Sequence, residues 1–276
     1  MKSIKINKLG IAISTYSENK TNPYRYKIIE KSFLSLVQTI KNKPEYLDIK
    51  VLLVVDGRVP DRHLELINKF ENTFDIIHRK DNGGVSKVKN TGIKSLLERD
   101  VDVGVLVDDD VFFHDGWINV YTKLIEDLQL HHLTWNDKRI FENLKITKPS
   151  SGALKSFSYI QKKGYDLFKH PGTCGIFLTF TPELIEKIGY FKVMPGKIGN
   201  EHQHFTIRAN RSGMIGPPVD LINSYEFIEH IGVLDTELDI NDQAIFHSVS
   251  DEFREKENKN SGFNMTDTDR YFSCIE

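Results

Sequence analysis

Cysteine is nearly absent from this chain. Its two residues, Cys174 and Cys274, cannot build a disulfide framework and suit a reducing compartment. Long hydrophobic runs are missing too: no stretch approaches the roughly 20 apolar residues of a membrane span. The start, Met-Lys-Ser-Ile-Lys, leads into a strand-like run without a signal-peptide core. Nor does either charge dominate. A net charge of −2 over 276 residues provides no global field toward nucleic acid or anionic membrane. With neither an internal repeat nor a linker, the expectation is a soluble, cytoplasmic protein with one domain over residues 1–250. That domain divides into halves at 1–116 and 117–250, followed by a polar tail at 251–276 rich in Asn, Lys, Asp and Glu.

What is present is alternation. Apolar runs at Leu9 to Ser14, Lys50 to Val55, Phe74 to His78 and Val101 to Val107 read as buried strands. Between them, helical spacing appears at Glu30 to Ile40, Leu64 to Phe70 and Val85 to Leu97. Strand and helix in turn predict βαβ units and a mostly parallel sheet, an α/β fold. Beyond it, helices are expected at Ile118 to Leu130, Pro182 to Ile188 and Glu201 to Arg211, and a strand at Gly175 to Phe180. The polar stretch His131 to Phe168 is expected to pack over one edge of the sheet, and Ile245 to Val249 is a short apolar segment.

The fourth strand ends in three consecutive aspartates, Asp108, Asp109 and Asp110. Open α/β sheets place ligands at the C-terminal ends of their strands. Three carboxylates crowded there repel one another, so a positive partner is expected among them. A divalent cation carrying a phosphate ligand meets that need; a solvated acidic turn is the plainer alternative.

Four segments then fall into a familiar order. They are Ser14-Thr15-Tyr16-Ser17 after the first strand, Val54-Val55-Asp56-Gly57 after the second, Asn82-Gly83-Gly84 leading to Lys89-Asn90-Thr91-Gly92, and the aspartate run. Later come Gly172-Thr173-Cys174-Gly175-Ile176-Phe177, the run Ile188 to Phe191, and Gly199-Asn200-Glu201-His202-Gln203-His204-Phe205-Thr206-Ile207-Arg208. Over about Leu9 to Ser250 the chain resembles the family-2-type glycosyltransferases with the nucleotide-diphospho-sugar transferase (GT-A) fold. That resemblance implies a Rossmann-like central sheet flanked by helices, with an elaborated second half on the acceptor side.

It also implies a metal-dependent transfer of sugar from a nucleotide sugar, expected to be a UDP-sugar, with Mn²⁺ or Mg²⁺ neutralising the leaving diphosphate. Asp110 is the expected principal metal ligand and His247 the second, with Asp108 on the ribose or on the metal through water. Asp109, the middle residue, need not touch ligand. Asp56 is expected to accept a hydrogen bond from the nucleobase, bordered by Thr15 and Tyr16, with Asn82 in the same site; a turn aspartate is its plainer role. Lys89 stands where the family carries Arg, either neutralising phosphate or lying on a solvated helix face. Gly172 and Gly175 would let backbone approach the donor sugar. Trp117 reads either as a stacking platform or as core.

The main departure from the family pattern is His202, which occupies the position of the usual catalytic aspartate. His202 and its neighbour Glu201 are both candidate bases, and inversion or retention stays open. The acceptor is expected to be a hydroxyl on a glycan, on a protein, or on a modified base of viral DNA, in which case the compartment is the host cytoplasm. A cluster at Lys80, Lys87, Lys89 and Lys94, with Arg208 and Arg211, could steer DNA. Two other readings compete: a non-catalytic carbohydrate-binding relative, and a nucleotidyltransferase making sugar nucleotides. The latter wants a glycine-rich loop after the first strand, and Ser14 to Thr21 contains no glycine.

Overall fold

A computed structural model describes residues 3–18, 21, 23–135, 158–169, 175–193, 201–216 and 219–232. The four apolar runs become strands β1 (Lys8–Thr15), β2 (Asp48–Val55), β3 (Asp75–His78) and β4 (Val103–Asp108). Between them lie helices α1 (Pro23–Lys41), α2 (Asp61–Asn68) and α3 (Val85–Leu97). All four strands run parallel, in the order β3-β2-β1-β4. Helices cover both faces, which is why β1, β2 and β4 are apolar nearly throughout rather than alternating.

Register is what builds the site. Ser14 lies opposite Asp108, Thr15 opposite Val55, and Val55 opposite His78. The C-terminal ends of the parallel strands are therefore level, and Thr15, Asp56 and the aspartate run share one rim.

The expected helix from Glu30 begins at Pro23 instead. Proline is pre-organised for a first helical turn, but the exposed polar residues of that turn hid it from a search for apolar spacing. Ile29, Phe33 and Leu36 are fully buried on this helix, as their spacing requires, with Val37 and Ile40 half-buried. Helix α4 (Trp117–Leu128) follows β5 (Val111–Phe113). Trp117 is core: it is 1% exposed and its indole N–H donates to Thr39 Oγ1 at 2.9 Å. It offers no stacking platform.

Strand β8 (Phe177–Phe180) joins the sheet antiparallel to β4. Its outer edge is covered by residues 131–135 through Thr179 N–H to Leu133 O (2.9 Å), Trp135 N–H to Phe177 O (3.1 Å) and Thr181 N–H to His131 O (3.1 Å). The first part of the unassigned polar stretch thus does lie along a sheet edge. A hairpin of β6 (Ser158–Lys162) and β7 (Tyr165–Lys169) ends the stretch, and β7 pairs with β9 (Val219–Leu221). Strand β10 (Ile228–His230) pairs antiparallel with β5, with His230 opposite Val111. The three-residue strands β5, β9 and β10 are too short to carry a periodic signal. Helices α5 (Pro182–Ile188) and α6 (Glu201–Arg211) have the expected bounds. The segment Ile245 to Val249 and the tail lie outside the described residues. None of the described helices is long and apolar enough to cross a membrane.

Candidate active site

At the end of β2, the Asp56 carboxylate is almost fully buried. Its Oδ1 accepts from Arg79 Nε at 2.7 Å and from Gly83 N–H at 3.1 Å, and its Oδ2 from Gly84 N–H at 2.9 Å. A carboxylate has about four acceptor sites, so these three bonds leave room for one more donor on Oδ2. Asp56 thereby fixes the loop that starts α3, while Gly57 adopts φ +86°, where an added Cβ would meet Asn82 N at 2.4 Å. Asn82 caps the same loop by accepting from Gly84 N–H at 3.1 Å. The half-buried Tyr16 donates its hydroxyl to Glu18 at 3.0 Å, and burial raises its pKa above the ordinary tyrosine value. Asp56, Tyr16 and Asn82 are brought together. Arg79, absent from the sequence expectations, completes the group by holding Lys87 O and Thr91 Oγ1 as well.

The three aspartates point in three directions. Asp108, at the end of β4, meets Lys89 Nζ at 2.8 Å. Lys89 is 1% exposed, so it is no solvated helix face. Its ammonium also donates to Gly175 O. One buried cation therefore ties the aspartate rim to the loop before β8.

Asp109 points inward and is 2% exposed. It accepts from Thr15 Oγ1 at 2.5 Å and is paired with Arg25. Burial raises its pKa, against the pull of Arg25. Thr15 is accordingly committed to Asp109 and to His63 Nε2, at 3.0 Å, while Ser17 meets His63 Nδ1 at 2.8 Å. A continuous polar chain runs from Ser17 through His63, Thr15 and Asp109 to Arg25, within the protein rather than on its surface. This role for Thr15 differs from the expected border of the nucleobase, because its hydroxyl is turned toward buried partners.

Asp110 accepts from Arg25 Nη1 at 3.1 Å and pairs with His230 Nε2 at 3.3 Å, both through Oδ2. Its Oδ1 is buried and has no hydrogen-bond partner. Burial alone would raise its pKa, but His230 and Arg25 outweigh burial and hold it below the usual carboxylate range. The same contact raises His230, against the lowering effect of burial.

A buried, unpartnered carboxylate oxygen beside an imidazole is a donor set that Mn²⁺ accepts, with phosphate oxygens to complete the shell. It is a two-residue set: no group of three or more metal-ligating side chains occurs among the described residues. His247 and Gly172 lie outside the described residues. His230 was missed because two histidines follow α6 and the later one sits in the more apolar stretch. Arg25 left no signal: it lies in the first turn of α1, ahead of the apolar spacing by which that helix is read.

The other side of the site is built on α6. His132 anchors it, with Nδ1 on Thr179 O at 2.6 Å and Nε2 on Thr206 Oγ1 at 2.8 Å. Asn90 of α3 binds both backbone groups of Phe191, at 2.8 and 2.9 Å. Phe191 in turn stacks on Phe205 and meets the His202 ring edge-on. The His202 ring lies against Gly175, where an added Cβ would come 1.9 Å from Nε2. Only glycine permits that approach.

His202 Nε2 contacts Glu201 Oε1 at 2.9 Å, and His202 Nδ1 is buried without a hydrogen-bond partner. Glu201 is 3% exposed. Burial would raise its pKa, but His202, its own backbone N–H and the charge of Lys89 pull it down to about 2.

The charges for DNA steering are fewer than expected. Lys89 is buried and Arg208 is spent on Ile188 O and Tyr190 O, which leaves Lys80, Lys87, Lys94 and Arg211 exposed.

These environments set the acid behaviour of the fold. His63 is wholly buried, and burial followed by the Arg25 charge lowers its pKa to about 4. An unfolded histidine titrates near 6.5, so the unfolded state binds more protons between about 6.5 and 4. The contribution of His63 is complete above that window and is lost as pH falls through it. The gap of about 2.5 units corresponds to about 3 kcal/mol at most. Glu201 acts in a second window, lost as pH falls from about 4.5 toward 2. Asp109, with its raised pKa, acts in the opposite sense. Denaturant unfolding of wild type beside His63→Gln isolates the first effect. The stability gap between them should shrink by up to about 3 kcal/mol from pH 7 to pH 4; a gap constant with pH contradicts the assignment.

Comparison with known proteins speaks for the family and the fold. The model of "Glycosyl transferase family 2" matches residues 11–189. A protein of Acanthamoeba polyphaga mimivirus named as an uncharacterized glycosyltransferase, R363, is 35% identical over 224 residues, covering 80% of each chain. Among solved structures, GalNAc-T7 with UDP, GalNAc and Mn²⁺ superposes with a TM-score of 0.59 at 10% identity, over 83% of this chain and 45% of that one. Residues 1–349 of S. aureus TarS in complex with UDP-GlcNAc give 0.53 at 17% identity, over 94% of this chain and 74% of that one. At such identities the structural likeness speaks for the fold, which is that of the GT-A glycosyltransferases.

Proposed function

The chain belongs to glycosyl transferase family 2, and on that premise we propose that it moves a sugar from a UDP-sugar to an acceptor hydroxyl with the help of Mn²⁺ or Mg²⁺. One observation carries this reading. Of the five buried side-chain polar atoms without a hydrogen-bond partner among the described residues, two, Asp110 Oδ1 and His202 Nδ1, belong to the residues linked through Asp108, Lys89 and Gly175. Buried polar atoms are nearly always paired, so such exceptions point to a ligand or a reaction.

The donor side is assigned from the strand ends. The imide N–H of uracil would fill the remaining acceptor site on Asp56 Oδ2, with Tyr16 and Asn82 beside it. That fits the UDP and UDP-GlcNAc of the structural neighbours. Asp110 and His230 would hold the cation, with Asp108 toward the ribose. A bound divalent ion neutralises the charge that develops on the leaving diphosphate. Lys89 adds a permanent positive charge next to Asp108, and the missing side chain of Gly175 admits the His202 ring.

On the acceptor side the base is His202 rather than Glu201. The Glu201 carboxylate is buried and already engaged by His202 Nε2, whereas His202 Nδ1 has no hydrogen-bond partner, and imidazole is suited to accepting a proton at neutral pH. Glu201 holds Nε2–H and so fixes the tautomer with Nδ1 as acceptor. The acceptor oxygen attacks the anomeric carbon as its proton passes to Nδ1. The carbon–oxygen bond to the diphosphate breaks with its electron pair leaving on phosphate, and configuration inverts. The acceptor class remains a glycan, a protein hydroxyl or a modified DNA base.

A donor panel tests the function: release of UDP from UDP-sugars with Mn²⁺, Mg²⁺ or EDTA. Metal-dependent turnover of one donor is expected. Turnover undiminished in EDTA, or no binding of any UDP-sugar, would overturn the proposal.

A further inference from the structure

The acidic cluster already contains its own counter-ions. Three carboxylates meet two permanent cations: Lys89 on Asp108, and Arg25 bridging Asp109 and Asp110. One negative charge remains, far less than the three that the bare sequence suggests. A divalent ion arriving alone finds little net charge and only two side-chain donors among the described residues.

We propose that Arg25 is a positioning residue that makes metal capture conditional on the nucleotide. It fixes the Asp110 carboxylate and suppresses binding of a free divalent ion, so that the ion is held tightly only with the diphosphate. This rests on the metal-dependent reading above. The geometry supports it in two ways. Arg25 engages Oδ2 of Asp110, and Gly232 packs so close to that oxygen that an added Cβ would lie 2.3 Å away. Oδ2 is thus enclosed while Oδ1 is the atom left for the ion. Arg25 is itself anchored by Asp109, whose other oxygen is held by Thr15. The guanidinium is therefore fixed by Asp109 through Nη2 as well as by Asp110 through Nη1, and its charge stays near any ion bound to Oδ1.

A diphosphate reverses the balance. Its negative charges supply both ligands and the electrostatic attraction that the protein has cancelled with Arg25. By linkage, the nucleotide and the ion must then strengthen each other by the same factor.

Calorimetry of the full chain with Mn²⁺, without and with UDP, tests the idea independently of turnover. Wild type should bind Mn²⁺ weakly alone and about tenfold or more tightly with UDP. Arg25→Gln should bind nucleotide-free Mn²⁺ about fivefold more tightly and show less coupling to UDP, while its turnover falls. Arg25→Lys, which keeps the charge, should behave as wild type in nucleotide-free binding. Asp109→Asn guards against misfolding of Arg25→Gln. It removes one negative charge and leaves Arg25 to Asp110, so nucleotide-free Mn²⁺ binding should weaken further. Merely structural damage would weaken Mn²⁺ binding in Arg25→Gln, the opposite sign. Mn²⁺ binding with UDP in wild type, but no tightening in Arg25→Gln and no weakening in Asp109→Asn, overturns the role of Arg25 alone. Absence of Mn²⁺ binding in every arm, UDP included, overturns the metal-dependent reading and this inference with it.

Discussion

Asp110→Asn should reduce UDP-sugar turnover by about 10³-fold while leaving the fold intact. The substitution keeps shape and volume but halves the carboxylate and removes its charge. Its expected reach is large because Asp110 Oδ1 is buried and has no hydrogen-bond partner, as the proposed metal ligand would. The neighbouring aspartates serve as internal controls. Asp108 is already neutralised by Lys89, and Asp109 faces the interior, where Thr15 and Arg25 hold it. Loss in Asp108→Asn should be smaller and expressed mainly in the donor KM. Raising Mn²⁺ should not rescue Asp110→Asn, because the missing group is the ligand itself. Steady-state kinetics with a thermal melt on each variant check this. An Asp110→Asn enzyme within tenfold of wild type would remove Asp110 from the reaction.

His202→Ala should lower kcat by about 10²- to 10⁴-fold with donor KM nearly unchanged, the mark of a group acting in the transition state. Glu201→Gln should lose much less, about tenfold, because glutamine can still accept from Nε2–H and keep the tautomer. The two candidates are thereby separated by size of effect. If Glu201 were the base, the order would reverse. Donor hydrolysis and transfer should both show the order, since water and acceptor hydroxyl need the same proton acceptor. The product of transfer should have inverted anomeric configuration, readable by proton NMR coupling constants; retention would exclude His202 from the role given to it.

The parts of this site that the sequence disclosed are those that follow from strand ends. A buried strand announces itself by its apolar run, and the residue after it falls on the ligand rim, so Asp56 and the aspartate run were legible. The order of the motifs gave the family and fold. What stayed hidden depends on contacts across the chain. Arg25 lies 85 residues from Asp110 along the chain, and the packing of α1 beside β5 joins them. His230 sits on a three-residue strand whose pairing with β5, not its own pattern, brings it to Asp110. Thr15 was read from its place after β1, but the hydroxyl direction is set by His63 and Asp109, which sequence could not supply. Lys89 read either as a phosphate partner or as a solvated helix face, because its helix carries Lys87 and Lys94 on the exposed side; burial against Asp108 and Gly175 removes the second reading.

The most direct measurement is a crystal structure with UDP and Mn²⁺, using manganese anomalous scattering to locate the ion. The account predicts a peak within coordination distance of Asp110 Oδ1 and His230 Nε2, bridged to the diphosphate, with uracil on Asp56 and Arg25 still on Asp109. A manganese peak away from Asp110, or uracil away from Asp56, would contradict it.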